Sequence, residues 1–219
     1  MPRLLFFAPM ALLLLLAGGW PKAADAFETA ARSAIILDHR TGLVLFEKNA
    51  DERIPPASMS KLMTAYMIFD RLDHGGLKLD DEVTVSERAW KMGGSQMFLE
   101  VGDRVKVEDL IRGIIVQSGN DACVAMAEAL AGSEEEFARQ MTEKGKEIGL
   151  TGSTFMNSTG LDAPGHLMTV RDLALLSRRI ISEFPGHFRY YSERDFVYRD
   201  IRQPNRNPLL QANVPGVDG

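Results

Sequence analysis

Apolar residues recur at helical spacing in two stretches near the middle of the chain. The first follows the rigid Pro55-Pro56 pair and predicts a helix that carries Ser58 in its first turn. Its apolar residues are Leu62, Met63, Ala65, Met67 and Phe69. The second stretch predicts a buried amphipathic helix that ends at Gln117. Its apolar residues are Val107, Leu110, Ile111, Ile114 and Ile115.

Capping residues indicate three further helices. A Ser, Thr or Asn side chain satisfies the backbone N–H groups of a first helical turn, and Gly accepts the left-handed backbone that ends a helix. The predicted boundaries are Asn120 and Gly132 around residues 121–130, then Ser133 with Glu136 and a closing Gly149, then Thr169 with Asp172. Together these helices predict an all-helical subdomain at about residues 78–185.

Strand patterns flank the helical region. Residues 34–38 and 43–47 predict a β-hairpin with Gly42 in its turn, and residues 195–199 predict a later strand. The expected fold class is therefore α/β (α+β), with an inserted helical subdomain. Residues 27–219 form the single predicted domain.

The N-terminus predicts the compartment. Arg3 precedes an apolar run at residues 4–17, and Ala24-Asp25-Ala26 matches a small-x-small cleavage pattern. The run is shorter than the roughly 20 residues that span a bilayer, which favours a cleaved signal peptide at residues 1–26 over a membrane anchor. We therefore expect a periplasmic protein.

Composition is that of a globular domain and excludes some functions. Hydrophobic residues make up 45% of the chain, and its net charge of −5 argues against nucleic acid as a partner.

Cys123 is the sole cysteine, so an intrachain disulfide is excluded, and we expect it to be a small buried core residue. The scattered histidines argue against a metal hydrolase. His166, on a loop rich in Gly and Pro, is expected at the surface.

Ser58 and Lys61 carry the clearest chemical signal. Residues three apart on a helix have Cβ atoms about 5 to 6 Å apart, which lets the amine reach the hydroxyl. A lysine can take a seryl proton only when burial or neighbouring cations lower its pKa. The same tetrapeptide spacing also occurs on solvated helix faces. A second element, Ser118-Gly119-Asn120, lies in a tight connection between two buried helices, where its polar groups could be held beside a catalytic centre.

The chain resembles the serine-type D-alanyl-D-alanine carboxypeptidases, which are low-molecular-mass penicillin-binding proteins. The matching stretches occur in the family's order and are residues 56–64, 110–113, 118–122, 160–162 and 201–203. The resemblance extends from about Ser33 to Gly219. It implies a fold like that of penicillin-binding proteins and β-lactamases, in which helices flank an antiparallel sheet and the active site lies in a crevice beside the helical subdomain.

The resemblance also implies roles for five residues. Ser58 is expected to be the acyl-ester nucleophile, Lys61 the general base and Ser118 a proton relay, while Asn120 and Arg202 bind substrate. The implied partners are peptidoglycan stem peptides and β-lactams, and the implied chemistry needs no cofactor and no metal.

The family's Lys-Thr-Gly motif does not occur in the 219 residues. By resemblance, it lies on a strand just after a segment similar to residues 213–219. We therefore expect a truncated reading frame, without the C-terminal strands, a β-rich domain and a helix that anchors the protein at the inner membrane. An open sheet edge would leave Ile35, Leu37 and Leu43 in water, so residues 27–219 alone are expected to aggregate and to be inactive.

Two other functions stay open. A β-lactamase would share Ser58 and Lys61, but no Glu-x-x-x-Asn pattern that could activate a deacylating water occurs in residues 150–190. The other is a non-catalytic module that binds penicillin or peptidoglycan, which the missing Lys-Thr-Gly motif favours.

Overall fold

The computed structural model describes residues 27–219, so the expected signal peptide lies outside the described residues. The strands are β1 (Ala34–Leu37), β2 (Val44–Lys48), β3 (Glu82–Thr84), β4 (Arg104–Lys106), β5 (Asp195–Tyr198) and β6 (Ile201–Pro204). The helices are α1 (Lys61–Asp73), α2 (Glu87–Trp90), α3 (Val107–Ile115), α4 (Asn120–Ala131), α5 (Glu134–Glu147), α6 (Val170–Glu183), α7 (Pro185–Phe188) and α8 (Pro208–Gln211). All of them belong to one compact unit, Ala31–Gly219.

The core is helical and is centred on α1. This helix packs against α3, α4, α5 and α6, and the alanines of α4 let its neighbours approach closely. The largest fully buried side chains include Phe69, Met63, Ile68, Leu110, Ile111, Ile114, Met126 and Phe137. Most of the apolar positions that predicted the two central helices therefore lie in the interior of the molecule.

Most predicted helix boundaries are confirmed by the observed caps. The Ser133 hydroxyl accepts a hydrogen bond from the Glu136 N–H, and the Thr169 hydroxyl accepts one from the Asp172 N–H. Gly132 ends α4 with a φ of 81°, a left-handed conformation that glycine adopts without strain. Asn120 is one exception, because the N-cap of α4 is Gly119 and no side chain caps this helix. The other is α3, which ends at Ile115 instead of the predicted Gln117.

The predicted hairpin is confirmed, with β1 antiparallel to β2 and an irregular register between Ile36 and Leu37. Leu43 is 63% exposed, as expected for an open face. Ile35 and Leu37 are half-buried instead of exposed, because α6 packs against β1. The expectation of exposed side chains was therefore wrong for these two residues.

The mixed α/β fold class is also confirmed. Within residues 27–219 the strands pair as three two-stranded antiparallel sheets, β1-β2, β3-β4 and β5-β6. The predicted strand at residues 195–199 is β5, which pairs with β6. In the described part of the chain, no helix combines the length and apolar character needed to cross a bilayer.

Candidate active site

The turn that carries Ser58 leads directly into α1. Residues Ala57–Ser60 form one 3₁₀ turn, which we call the nucleophile turn, and α-helical geometry begins only at Lys61. The prediction of an α-helical first turn at Ser58 was therefore wrong in detail. Ala57 has a φ of 49°, so the chain turns sharply after the two prolines. The more tightly wound 3₁₀ turn then leads into the α-helix.

Lys61 is 6% exposed, and its amine makes two contacts. Nζ lies 3.2 Å from the Ser58 Oγ and 2.6 Å from the Thr159 carbonyl oxygen. Burial lowers the pKa of the Lys61 amine, and the Arg206 guanidinium lowers it further. Cys123 would raise the pKa of the Lys61 amine only if its thiol were ionised. Burial raises the pKa of that thiol to about 12, which disfavours the thiolate. The setting therefore makes the amine easier to deprotonate, which a base for the Ser58 hydroxyl requires.

Ser118 occupies a strained position beside this pair. Its φ of 61° lies in the left-handed region, where a non-glycine residue carries a strain of about 1 to 3 kcal/mol. Its Oγ is buried and has no hydrogen-bond partner within residues 27–219. A cavity of about 260 Å³ brings Ser118 together with Ser58, Met59, Lys61, Leu62, Ile114, Ile115 and Tyr191. The Ser118 hydroxyl is thus an unsatisfied polar group in the same cavity as the Ser58–Lys61 pair.

Asn120 also lies near Ser58 but does not cap a helix. Its Nδ2 donates to the Gly93 carbonyl oxygen at 2.7 Å, and its backbone N–H donates to the Ser95 carbonyl oxygen at 2.7 Å. A second cavity of about 400 Å³ is lined by Pro55, Ala57, Ser58, Asn120, Thr159, Gly160, Leu161 and Asp162. The predicted Asn cap is wrong because these tertiary contacts hold the side chain instead of the helix N-terminus.

Arg202 is placed differently from the other four predicted site residues. It lies on β6 with an exposed side chain, and its Nη2 donates to the Asp195 carboxylate at 2.6 Å. It lines neither of the two cavities at Ser58. The structure therefore brings Ser58, Lys61, Ser118 and Asn120 together and leaves Arg202 on the exposed side of β6.

Several site residues were missed by the sequence reasoning. Arg206 donates from Nη1 to the Ser95 Oγ at 2.6 Å and from its backbone to the Val116 carbonyl oxygen at 3.1 Å. Asp121 is 1% exposed and accepts hydrogen bonds from the backbone N–H groups of Met97 and Leu99. Asp121 falls in the matching stretch 118–122 and Arg206 in none, and no pattern predicts the contacts of either residue because their partners lie on segments distant along the chain.

His166 is the clearest correction. We expected a surface residue, but the ring is 3% exposed and its Nε2 lies 2.7 Å from the Ser60 Oγ. It belongs to a loop, residues 154–167, that is closed by a bridge between Thr154 and Leu167. The glycines and proline of this loop predicted exposure, whereas the loop folds back over the nucleophile turn. Among residues 27–219, no cluster of three or more His, Cys, Asp or Glu side chains could hold a metal ion.

Comparison with known proteins gives a consistent result. The sequence profile described as D-alanyl-D-alanine carboxypeptidase (peptidase S11) matches residues 21–219. D-alanyl-D-alanine carboxypeptidase DacC from Escherichia coli K12 is 46% identical over 195 residues, which are 86% of this chain and 49% of DacC. Penicillin-binding protein 5 from Haemophilus influenzae superposes with a TM-score of 0.84 at 37% identity, over 87% of this chain and 56% of that one.

A third similar structure is penicillin-binding protein D2 from Listeria monocytogenes in its ampicillin-bound form. It has a TM-score of 0.73 and 28% identity, over 82% of this chain and 74% of that one. The fold is thus that of the penicillin-binding proteins. More closely, the chain belongs to the D-alanyl-D-alanine carboxypeptidase family. It spans about half the length of the curated relatives that it matches.

Proposed function

We propose that this chain carries the nucleophile and base of a serine D,D-carboxypeptidase that removes the terminal D-alanine from peptidoglycan stem pentapeptides. One observation carries the proposal. The Lys61 Nζ lies 3.2 Å from the Ser58 Oγ, in a buried setting that lowers the pKa of the amine. Membership of the family supports the substrate class.

The reaction begins when neutral Lys61 takes the Ser58 proton. The Ser58 Oγ then attacks the carbonyl carbon between the two D-alanines, and the Ser58 N–H supplies one oxyanion contact. The unsatisfied Ser118 hydroxyl relays a proton to the nitrogen of the leaving D-alanine. Water then hydrolyses the acyl ester and restores the free Ser58 hydroxyl.

Asn120 holds the substrate in this proposal. Its Nδ2 is bonded to Gly93, which leaves Oδ1 to accept a hydrogen bond from a substrate amide. Arg202 as a contact for the substrate carboxylate stays a prediction, and it requires the Asp195 ion pair to open. Arg206, whose Nη1 donates to the Ser95 Oγ, is a second cation that could take this role.

The same nucleophile would open a β-lactam ring and keep the product as an ester on Ser58. The fold shared with the ampicillin-bound Listeria protein supports this part of the proposal. We also propose a periplasmic location, supported by the leader pattern at residues 1–26, and association with the inner membrane through a helix beyond Gly219, supported by the resemblance alone.

Labelled penicillin tests the proposal in the complete gene product. We expect covalent label on the wild type and none on Ser58→Ala, which removes the attacking oxygen and little volume. Ser182→Ala, an exposed serine on α6, is the matched control and should retain the label. Label that persists on Ser58→Ala would show that another residue is the nucleophile.

Product analysis separates the alternative functions. Release of D-alanine from a pentapeptide supports the carboxypeptidase. Rapid hydrolysis of the penicillin would indicate a β-lactamase, and stable labelling without release of D-alanine would indicate a penicillin-binding module without peptidase activity.

A further inference from the structure

The loop at residues 154–167 contacts the nucleophile turn and α1 at several points. Its ends are joined by hydrogen bonds between Thr154 and Leu167, at 2.8 and 3.1 Å. Its Thr159 carbonyl oxygen accepts from Lys61, and its Ser158 carbonyl oxygen accepts from the Thr64 hydroxyl at 2.6 Å. The position of this loop therefore affects the geometry of the reacting pair.

His166 connects the base of this loop to the nucleophile turn. The Met156 N–H donates to His166 Nδ1 at 3.3 Å, so Nδ1 carries the lone pair and the ring proton is on Nε2. Nε2 lies 2.7 Å from the Ser60 Oγ, so Nε2–H donates and the hydroxyl oxygen accepts. The edge-to-face ring of Phe155, with centroids 5.8 Å apart, holds the imidazole in this orientation.

Ser60 gives this contact its importance. It is fully buried and lies in the same 3₁₀ turn as Ser58, next to Lys61. A turn of this kind has poorer backbone hydrogen-bond geometry than an α-helix, so side-chain contacts contribute to its position. A shift of about 1 Å between reacting groups can reduce a rate by about 100-fold.

We propose that His166 is a positioning residue, whose Nε2–H holds Ser60 and thereby keeps Ser58 within reach of Lys61. This inference rests on the proposed function of Ser58. His166 touches neither Ser58 nor Lys61 through a hydrogen bond in the described structure, so it acts through the turn and not on the substrate.

The contact requires a neutral ring. A proton on Nδ1 would face the Met156 N–H and remove its acceptor, which would loosen the base of the loop. Burial lowers the pKa of the His166 imidazole, which agrees with a neutral ring near pH 7. The charged or titratable groups on the elements that surround it are Arg53, Lys61, Glu134, Glu135, Arg139, Glu143, Lys146 and Asp162. None of these groups is hydrogen-bonded to the ring in the described structure.

Three variants of the complete gene product test the proposal by the rate of acylation with a fluorescent penicillin. His166→Ala removes the donor and should slow acylation about 10- to 100-fold. His166→Gln places an amide donor near Ser60 and should recover most of the rate. Ser60→Ala removes the acceptor with little change in volume and should slow acylation as His166→Ala does, which keeps the test valid if His166→Ala fails to fold.

The pH profile supplies a readout that a purely structural role would not change. Protonation of Lys61 already lowers the rate at acid pH, and the wild-type rate should fall more steeply still as the pH drops through the lowered pKa of His166. His166→Gln should lose this additional limb because its amide does not titrate. His39→Gln, a change at an exposed histidine, is the control and should keep the limb.

The outcomes separate this inference from the proposed function. A wild type that is labelled at Ser58 while His166→Ala acylates equally fast would overturn the positioning role alone. Equal loss in His166→Gln and His166→Ala would also overturn it, since ring packing rather than donation would then matter. A wild type that takes no label overturns the proposed function, and this inference with it.

Discussion

The Lys61 Nζ lies 2.6 Å from the carbonyl oxygen of Thr159, although 98 residues separate the two in sequence. This contact fixes the end of a long, flexible side chain at a point 3.2 Å from the Ser58 Oγ. A neutral lysine that donates one proton to Thr159 still has its lone pair for the Ser58 proton. The loop at residues 154–167 therefore helps to orient the proposed base.

The rate of acylation should depend on the protonation of Lys61. Because the neutral amine is the active form, the rate should rise with pH, with a midpoint below the usual lysine pKa of about 10.4. Lys61→Arg should abolish acylation at every pH, since a guanidinium does not lose its proton in proteins. Stopped-flow measurements with a chromogenic β-lactam would check both points, and a midpoint above the usual value would contradict the assignment of Lys61.

Gly160→Ala should destabilise the nucleophile turn. A Cβ at Gly160 would lie 1.8 Å from the Ala57 carbonyl oxygen, which is backbone and cannot rotate away. Gly165→Ala is the matched control in the same loop, because its φ is also positive but the nearest atom is 3.9 Å away. We expect a loss of about 1 to 2 kcal/mol for the control, from the left-handed backbone alone, and a larger loss for Gly160→Ala. Equal melting temperatures for Gly160→Ala and Gly165→Ala would show that the added Cβ at residue 160 does not clash with the Ala57 carbonyl oxygen.

Glu134→Ala should cost more stability than Glu135→Ala, although both carboxylates pair with Arg88. Glu134 is buried and also accepts from the N–H and hydroxyl of Ser158, at 3.0 and 2.7 Å. Its removal leaves these donors unsatisfied and should cost about 2 to 4 kcal/mol. The exposed Glu135 should contribute under about 1 kcal/mol. Denaturant titrations would measure the free energy of unfolding of both variants. Similar losses would contradict the role assigned to the burial of Glu134.

Ser118→Ala should separate activity from stability. The variant removes an unsatisfied buried hydroxyl, so stability should stay the same or rise, while loss of the proton relay should slow turnover about 100-fold or more. Ser158→Ala is the contrast, since that buried hydroxyl donates to Glu134 and its loss should be destabilising. A marked fall in the melting temperature of Ser118→Ala would mean that its hydroxyl has a structural partner.

Residues 27–219 expressed alone should aggregate and release no D-alanine. Leu43 and Leu45 are 63% and 61% exposed on a two-stranded hairpin, which invites pairing with other chains. Leu45→Lys should reduce aggregation, whereas Leu209→Lys, at an exposed leucine on α8, should have little effect. Light scattering and size-exclusion chromatography would show this. A monomeric wild-type fragment with a cooperative melt and carboxypeptidase turnover would contradict the prediction.

The central helices and two of their N-terminal caps follow from the sequence alone, because these features depend on neighbours a few residues away. The apolar spacing from Leu110 to Ile115 and the caps at Ser133 and Thr169 act over three or four positions, and each is present in the structure. The spacing of Ser58 and Lys61 also placed the two side chains within reach of each other. Local pattern was therefore sufficient for these helices and for this pair.

The support of this pair depends on contacts that form only when the chain packs. Asn120 looked like a cap but is held by Gly93, and His166 looked exposed but is buried against Ser60. The Thr159 contact uses a backbone carbonyl, which carries no side-chain signal at all. In each case the partner is distant along the chain, and its position follows from the packing of loops over the helical core. Side-chain identity and local spacing do not predict such contacts, because packing alone brings the partners together.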